Sequence, residues 1–284
     1  MNIILTGATG FIGRNLQKKL SSKSNSKILC ISRSKVEPQF SKNIFFLKCD
    51  LNNLERYRKM IVDFKPDILV HLAWDKIPNF SKKNSKKNEK ISKKLIDFFC
   101  LNTNIKNIIV TGSCFEIQRP NSSYTYFVNA KKEILNYLKK KSIKHKINFN
   151  WLRIFYVYGP GQREKSIIPY IISCSKLNKI AEVKYLNNRH DFIFIDDVCN
   201  AIIKTIKFSK TSKILDVGSG KTTSIKQILN YFKSISKNKF FYKSNAKSKK
   251  NLIVKADVKT VKKYIKWSAN TDIKIGLKKT YNSF

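Results

Sequence analysis

Gly7, Gly10 and Gly13 recur three residues apart in ILTGATGFIGRNL, after an apolar run and before a helical pattern. That spacing suits a pyrophosphate. Gly7 permits a tight turn, Gly10 lets the backbone approach the anion, and Gly13 lets the next helix pack closely on the strand. The helix N-terminus then faces the phosphates with unpaired N–H groups. A second chemical stretch is YTYFVNAKK, residues 124–132. On a helix, a tyrosine four residues before a lysine shares a face with it, so the two can serve one site. Here Phe127 lies four before Lys131 and Val128 four before Lys132, so neither tyrosine is in register.

The ends of two further strand-like runs also carry chemistry. A dinucleotide-binding unit ends its second strand in an acid that takes the ribose 2′-OH. KILCISRS ends in Ser32 and Arg33 instead. A cation there suits a 2′-phosphate and favours NADP over NAD. Asp50 closes FFLKCDL. Its carboxylate either accepts from an adenine amine or, with Asn52 and Asn53, caps the following helix.

These residues need a scaffold, and the first half supplies one. NIILTG, KILCIS, IFFLKCD, DILVHLAW and NIIVTGS are short, β-branched and apolar on both faces, as in strands of a buried parallel sheet. FIGRNLQKKLSS, LERYRKMIVDF and NEKISKKLIDFFCLN between them have apolar residues at helical spacing. The alternation predicts an α/β fold, a Rossmann-like doubly wound parallel sheet. FNWLRIFYVYG adds a sixth strand. After Gly159 the pattern changes to a smaller mixed α/β lobe: a helix at SIIPYIISCSK, a strand and helix in HDFIFIDDVCNAIIKTI, a strand at KILDVGSG and a helix at TSIKQILNYFKSI.

The 284 residues are 42% hydrophobic, enough for one large domain or two small ones. Met1 leads straight into an apolar run without a signal-peptide pattern. No apolar stretch approaches the roughly 18 residues of a membrane span. A cytoplasmic protein is therefore expected. Cys30, Cys49, Cys100, Cys114, Cys174 and Cys199 are scattered, mostly in apolar runs, and read as reduced core residues, with no metal site implied. The net charge of +40 comes mainly from lysines spread along the whole chain, with dense runs only at 81–90 and 236–250. That is a compositional bias rather than one basic face. It attracts anionic ligands generally and gives only weak support to nucleic-acid binding.

Taken in order, TGATGFIGRNL, CDL (49–51), HLAW (71–74), TGSCFE (111–116), WLRIFYVYGPGQ (151–162), HDFIFIDDVCNAI (190–202) and LDVGSG (215–220) resemble the extended short-chain dehydrogenase/reductase family. Its members include nucleotide-sugar epimerases, dehydratases and ketoreductases. GSCFE followed by RIFYVYGPGQ is most similar to reductases of 4-keto-6-deoxyhexose nucleotides, and IPYII with DFIFIDDV resembles the abequose-synthase type. The resemblance implies a dinucleotide-binding lobe at 1–158, to which the chain returns around 189–207, and a nucleotide-sugar-binding lobe at 159–284. It implies cofactor contacts at Gly7, Thr9, Gly10, Phe11, Ile12, Gly13, Arg33, Asp50, Leu51, Leu72, Ala73 and Lys131. Ser113 matches the residue that bonds the reacting sugar oxygen, and Lys131 the lysine that binds the nicotinamide ribose. Trp74, Cys114, Phe127, Arg189 and His190 fall toward the substrate. Family members commonly dimerise through helices that correspond to 88–100 and 127–141.

Three departures stand out. Phe127 occupies the place of the family's proton-donating tyrosine. His190 occupies the place of an arginine that binds the sugar nucleotide's phosphate, with Arg189 one residue earlier. Ile117 and Gln118 replace a Tyr-Gly pair. A phenylalanine keeps the ring and loses the proton, so Tyr126, Tyr156, Tyr124 and Cys114 are the candidate substitutes. Three functions follow: an NAD(P)-dependent nucleotide-sugar ketoreductase or epimerase for surface-polysaccharide synthesis with an altered acid, an inactive cofactor-binding relative with a regulatory or assembly role, and a basic nucleic-acid binder.

Overall fold

In a computed structural model of the chain, the structure describes residues 1–23, 26–34, 42–117, 122–236, 240–244 and 252–284. Gln118 lies outside them. The chain forms two compact units, Met1–Arg153 with Ile202–Leu215 and Ile154–Ala201 with Asp216–Phe284.

The first unit opens with β1 (Asn2–Thr6), α1 (Phe11–Lys23), β2 (Lys27–Ser32) and β3 (Ile44–Lys48). It continues through α2 (Arg58–Asp63), β4 (Ile68–His71), α3 (Lys82–Asn102), β5 (Asn107–Ser113), α4 (Thr125–His145) and β6 (Asn148–Ile154). The rest of the chain adds β7 (Tyr156–Tyr158), α5 (Ile167–Lys176), β8 (Ala181–Val183), β9 (Arg189–His190), β10 (Phe192–Phe194), α6 (Ile195–Phe208) and β11 (Lys213–Val217). It ends with β12 (Thr223–Ser224), α7 (Ile225–Ile235), β13 (Tyr242–Ser244), β14 (Ile253–Val254), α8 (Val258–Ile265) and α9 (Ile273–Asn282).

The central sheet has seven strands in the order β11-β6-β5-β4-β1-β2-β3. β1 pairs in parallel with both β2 and β4, β2 with β3, and β4 with β5. This is the expected doubly wound parallel sheet. The order reverses between β1 and β4, and open α/β sheets bind ligands beyond the strand ends at such a point. The strands lack polar/apolar alternation because both faces are covered. Ile4, Leu69, Ile108 and Trp151 meet Ile96, Phe99, Ile134 and Leu138 of α3 and α4 in one core cluster.

The expected sixth strand is two. It breaks at Phe155, whose N–H goes to Val217 O, and Tyr156–Tyr158 then pairs in parallel with Phe192–Phe194. In the second unit, β9 pairs antiparallel with β12 and parallel with β14. These two-residue strands have no legible period. Tertiary hydrogen bonds define them.

Candidate functional site

The glycine loop is built as its spacing predicts. Gly7 has φ +73°, and a Cβ there would come within 2.7 Å of Ala73 N, so the turn is pressed onto the residues that follow β4. A Cβ on Gly13 would lie 2.7 Å from the Ala8 Cα, so any side chain would push α1 off the loop. Gly10 N donates to Gly7 O at 3.0 Å, Thr9 and Gly10 are exposed, and Phe11 and Ile12 are half-buried. No acid sits in the first turn of α1 to repel an anion. A dinucleotide pyrophosphate fits this cradle.

Arg33, Lys48, Asp50 and Arg56 line one open hollow of about 440 Å³. Asp50 is the N-cap of the 3-10 turn Leu51–Tyr57 and accepts from Asn52 N at 2.8 Å. That backbone bond leads in holding its carboxyl below the usual range. Leu51 packs on the core cluster. Arg33 donates to Asp75 Oδ1 at 2.9 Å, and Lys87 holds the other oxygen at 3.2 Å. Asp75, just beyond HLAW, thus partners the cation that the sequence offers to a 2′-phosphate. The Arg33 side chain is still 62% exposed.

Ser113, at the end of β5, is the N-cap of the turn Cys114–Glu116. Its hydroxyl accepts from Phe115 N at 3.3 Å, and its own N–H donates to Glu116 Oε1 at 2.6 Å. Lys131 is 6% exposed; its ammonium donates to Thr111 O at 2.7 Å and lies over the Trp74 indole, 4.3 Å from the centroid. Burial pulls its pKa down to about 8, partly offset by the Glu116 charge. Thus Ala73, Trp74, Lys131, Thr111 and Ser113 connect the glycine loop to the serine within one unit. Leu72 and Ala73 are the atoms nearest a Gly7 Cβ.

Phe127 shares the buried face of α4 with Lys131. It meets Trp74 edge-on at 4.9 Å and Phe80 at 4.9 Å. Tyr126, one helical step away, is 47% exposed. The register that buries Phe127 and Lys131 turns it toward solvent. Tyr124 stacks on Phe115 at 4.3 Å and so packs on the turn that carries Ser113. Cys114, next to Ser113, is buried like Lys131 and Phe127.

In the second unit, Arg189 donates to Thr222 O at 2.8 Å and to Thr222 Oγ1 at 3.1 Å. Its guanidinium is oriented by Thr222. His190 is buried against Tyr156, ring centroids 4.1 Å apart, and its Nδ1 has no partner among the described residues. Burial lowers its pKa to about 4, so the ring is neutral near pH 7. It cannot replace an arginine's charge there.

A sequence model described as the NAD dependent epimerase/dehydratase family matches residues 3–218. The chain belongs to that family. It is 27% identical over 286 residues to a CDP-abequose synthase of Salmonella muenchen, covering 98% of this chain and 96% of the relative. A dTDP-6-deoxy-L-talose 4-dehydrogenase (NAD(+)) of Aggregatibacter actinomycetemcomitans is 26% identical over 248 residues, covering 82% and 89%. The fold matches UDP-glucose 4-epimerase of Thermotoga maritima with UDP-glucose: TM-score 0.85, 20% identity, 100% of this chain and 98% of that one. It also matches UDP-glucuronic acid 4-epimerase of Bacillus cereus in complex with UDP-glucuronic acid and NAD: TM-score 0.86, 19% identity, 100% and 98%.

Three further residues of this family member hold strands and loops in place. His71 is a structural clasp: it bonds Thr6 Oγ1 at 2.7 Å and Ser92 Oγ at 3.0 Å, joining β1, β4 and α3. Asp191, fully buried, accepts from Ser219 N, Gly220 N and Ala256 N and so fixes the loop after β11. Glu116 joins Ser113 to Trp151 through its two oxygens. The signal for Glu116 was present as Ser-x-x-Glu, the capping-box spacing.

Proposed function

We propose that this chain is an NAD(P)-dependent nucleotide-sugar ketoreductase or epimerase that acts on a 4-keto-6-deoxyhexose nucleotide in surface-polysaccharide sugar synthesis. The observation that carries this reading is the unbroken run from the glycine loop through Trp74 and Lys131 to Ser113. The full-length similarity to CDP-abequose synthase supports the substrate class.

In this reading Gly7–Gly13 and the start of α1 bind the pyrophosphate, and Asp50 and Leu51 meet the adenine. Arg33, with Lys48 and Arg56 lining the same hollow, favours a 2′-phosphate, hence NADP. Lys131 orients the nicotinamide ribose. The Ser113 hydroxyl accepts from Phe115 N and keeps its hydrogen for the sugar oxygen. The cofactor supplies or accepts the hydride. The second unit binds the nucleotide sugar, with Tyr156 and His190 as its candidate contacts.

The proton comes from a residue other than Phe127. Tyr124, packed on the Ser113 turn, is the candidate that the packing favours over Tyr126. The burial of Phe127 between Trp74 and Phe80 favours a second reading, a cofactor-binding relative without turnover. NADPH oxidation with CDP- and dTDP-linked 4-keto-6-deoxyhexoses tests the first. NADPH binding with no turnover, restored by Phe127→Tyr, selects the second.

A further inference from the structure

The cation at the end of β2 has a competitor fixed beside it. Arg33 lines the hollow that the proposed function gives to a 2′-phosphate, and its guanidinium already donates to Asp75 Oδ1 at 2.9 Å. A phosphate and that carboxylate compete for the same donors. The two halves of the pair differ in freedom: the Arg33 side chain is 62% exposed and that of Asp75 13%.

Asp75 is pinned by α3. Its N–H donates to Asn88 Oδ1 at 2.6 Å, and its carbonyl accepts from Asn84 Nδ2 at 3.0 Å. Asn84 also donates to Asn79 O at 2.7 Å. The first turns of α3 bury Asn84, Ser85, Asn88 and Ser92 where a helix ordinarily packs apolar side chains. That face is committed to holding the loop after β4. Lys87, beside Asn88 in the dense lysine run, puts its ammonium 3.2 Å from the second oxygen of the same carboxylate. One anion is thus shared by two cations, one at the end of β2 and one on α3.

We propose that Asp75 and Lys87 set the selectivity for a cofactor 2′-phosphate: Asp75 restrains Arg33, and Lys87 keeps the Asp75 carboxylate paired when the phosphate takes the guanidinium. The inference rests on the reading of the hollow as the adenosine site. Both are positioning residues that act through Arg33. The exposed guanidinium is the half that moves, and the pinned carboxylate stays. With Lys87 on its other oxygen, that carboxylate presents less unpaired charge to the incoming phosphate. A 2′-OH makes no such demand, so the Arg33–Asp75 pair stays closed with NADH. Lys87 therefore acts on NADPH binding and leaves NADH alone.

The test is a fluorescence titration of NADPH and NADH against the wild-type protein, Lys87→Gln, Asp75→Asn and the double variant. Lys87→Gln should weaken NADPH binding by roughly two- to five-fold, the worth of an exposed ion pair, and leave NADH unchanged. In the Asp75→Asn background the same Lys87→Gln should change neither cofactor, because the carboxylate that it serves is gone. An equal loss of NADPH affinity in both backgrounds means that Lys87 meets the phosphate directly, and it overturns the proposal. An unchanged ratio of NADPH to NADH affinity in Lys87→Gln overturns it too. Should Asp75→Asn fail to fold, Asp75→Ser takes its place in the cycle. Wild-type protein that binds neither cofactor brings down the reading of the hollow, and the proposal with it. Binding of both cofactors with no response to Lys87→Gln brings down the proposal alone.

Discussion

Lys131 and Trp74 are in cation–π contact: the ammonium stands 4.3 Å from the indole centroid, with Thr111 O as its hydrogen-bond acceptor. The lysine that should meet a nicotinamide ribose is thus roofed by an aromatic side chain that follows β4 directly. Burial has a cost with a definite pH signature. The folded pKa of about 8 lies below the ordinary 10.5, so the unfolded chain binds more protons between these values. The penalty is complete below pH 8 and is relieved as pH rises to 10.5. Lys131→Met should therefore stabilise the protein near neutrality by on the order of 3 kcal/mol. The gain should vanish above pH 10.5, as read from denaturant unfolding of the two proteins across that range.

His71 predicts the opposite limb. Its folded pKa of about 3 lies below the usual 6.5, so stability is full above pH 6.5 and is lost as pH falls toward 3. His190, lowered to about 4, acts in the same direction. His71→Gln, which can still bond Thr6 and Ser92, should flatten this acid limb. His71→Leu should cost about 1–3 kcal/mol at neutral pH, because two buried hydroxyls lose their partner.

Arg33 should govern cofactor choice. Arg33→Ala should weaken NADPH binding by roughly 10- to 100-fold, the worth of a charged hydrogen bond, and leave NADH nearly unchanged. Asp75→Asn should strengthen NADPH binding, since it releases the guanidinium from its carboxylate. Fluorescence titration with the two reduced cofactors checks both.

The proton donor should yield to single substitutions. A general acid contributes roughly 10²–10⁴-fold, so replacing the true donor lowers kcat by that amount. Tyr124→Phe should do so. Tyr126→Phe should do little, since that ring is half in solvent.

The sheet and the glycine loop were legible because they rest on local rules: continuous apolar runs for strands covered on both faces, and a fixed glycine spacing for a loop pressed onto Ala73. Ser113 and Lys131 were legible only through resemblance, since neither residue type is distinctive in a lysine-rich chain. What escaped was set by tertiary contact. Asp75 reaches Arg33 across 42 residues, Thr222 holds Arg189 across 33, and Trp151 meets Glu116 across 35. The exposure of Tyr126 follows from the phase of α4, which the buried pair Phe127 and Lys131 sets from both ends of one turn.

The most direct test is nicotinamide absorbance in the wild-type protein mixed with NADPH and a CDP- or dTDP-linked 4-keto-6-deoxyhexose. The account predicts sugar-dependent oxidation that is lost in Lys131→Met and in Ser113→Ala. No oxidation with any such substrate, together with activity that appears only in Phe127→Tyr, would contradict it.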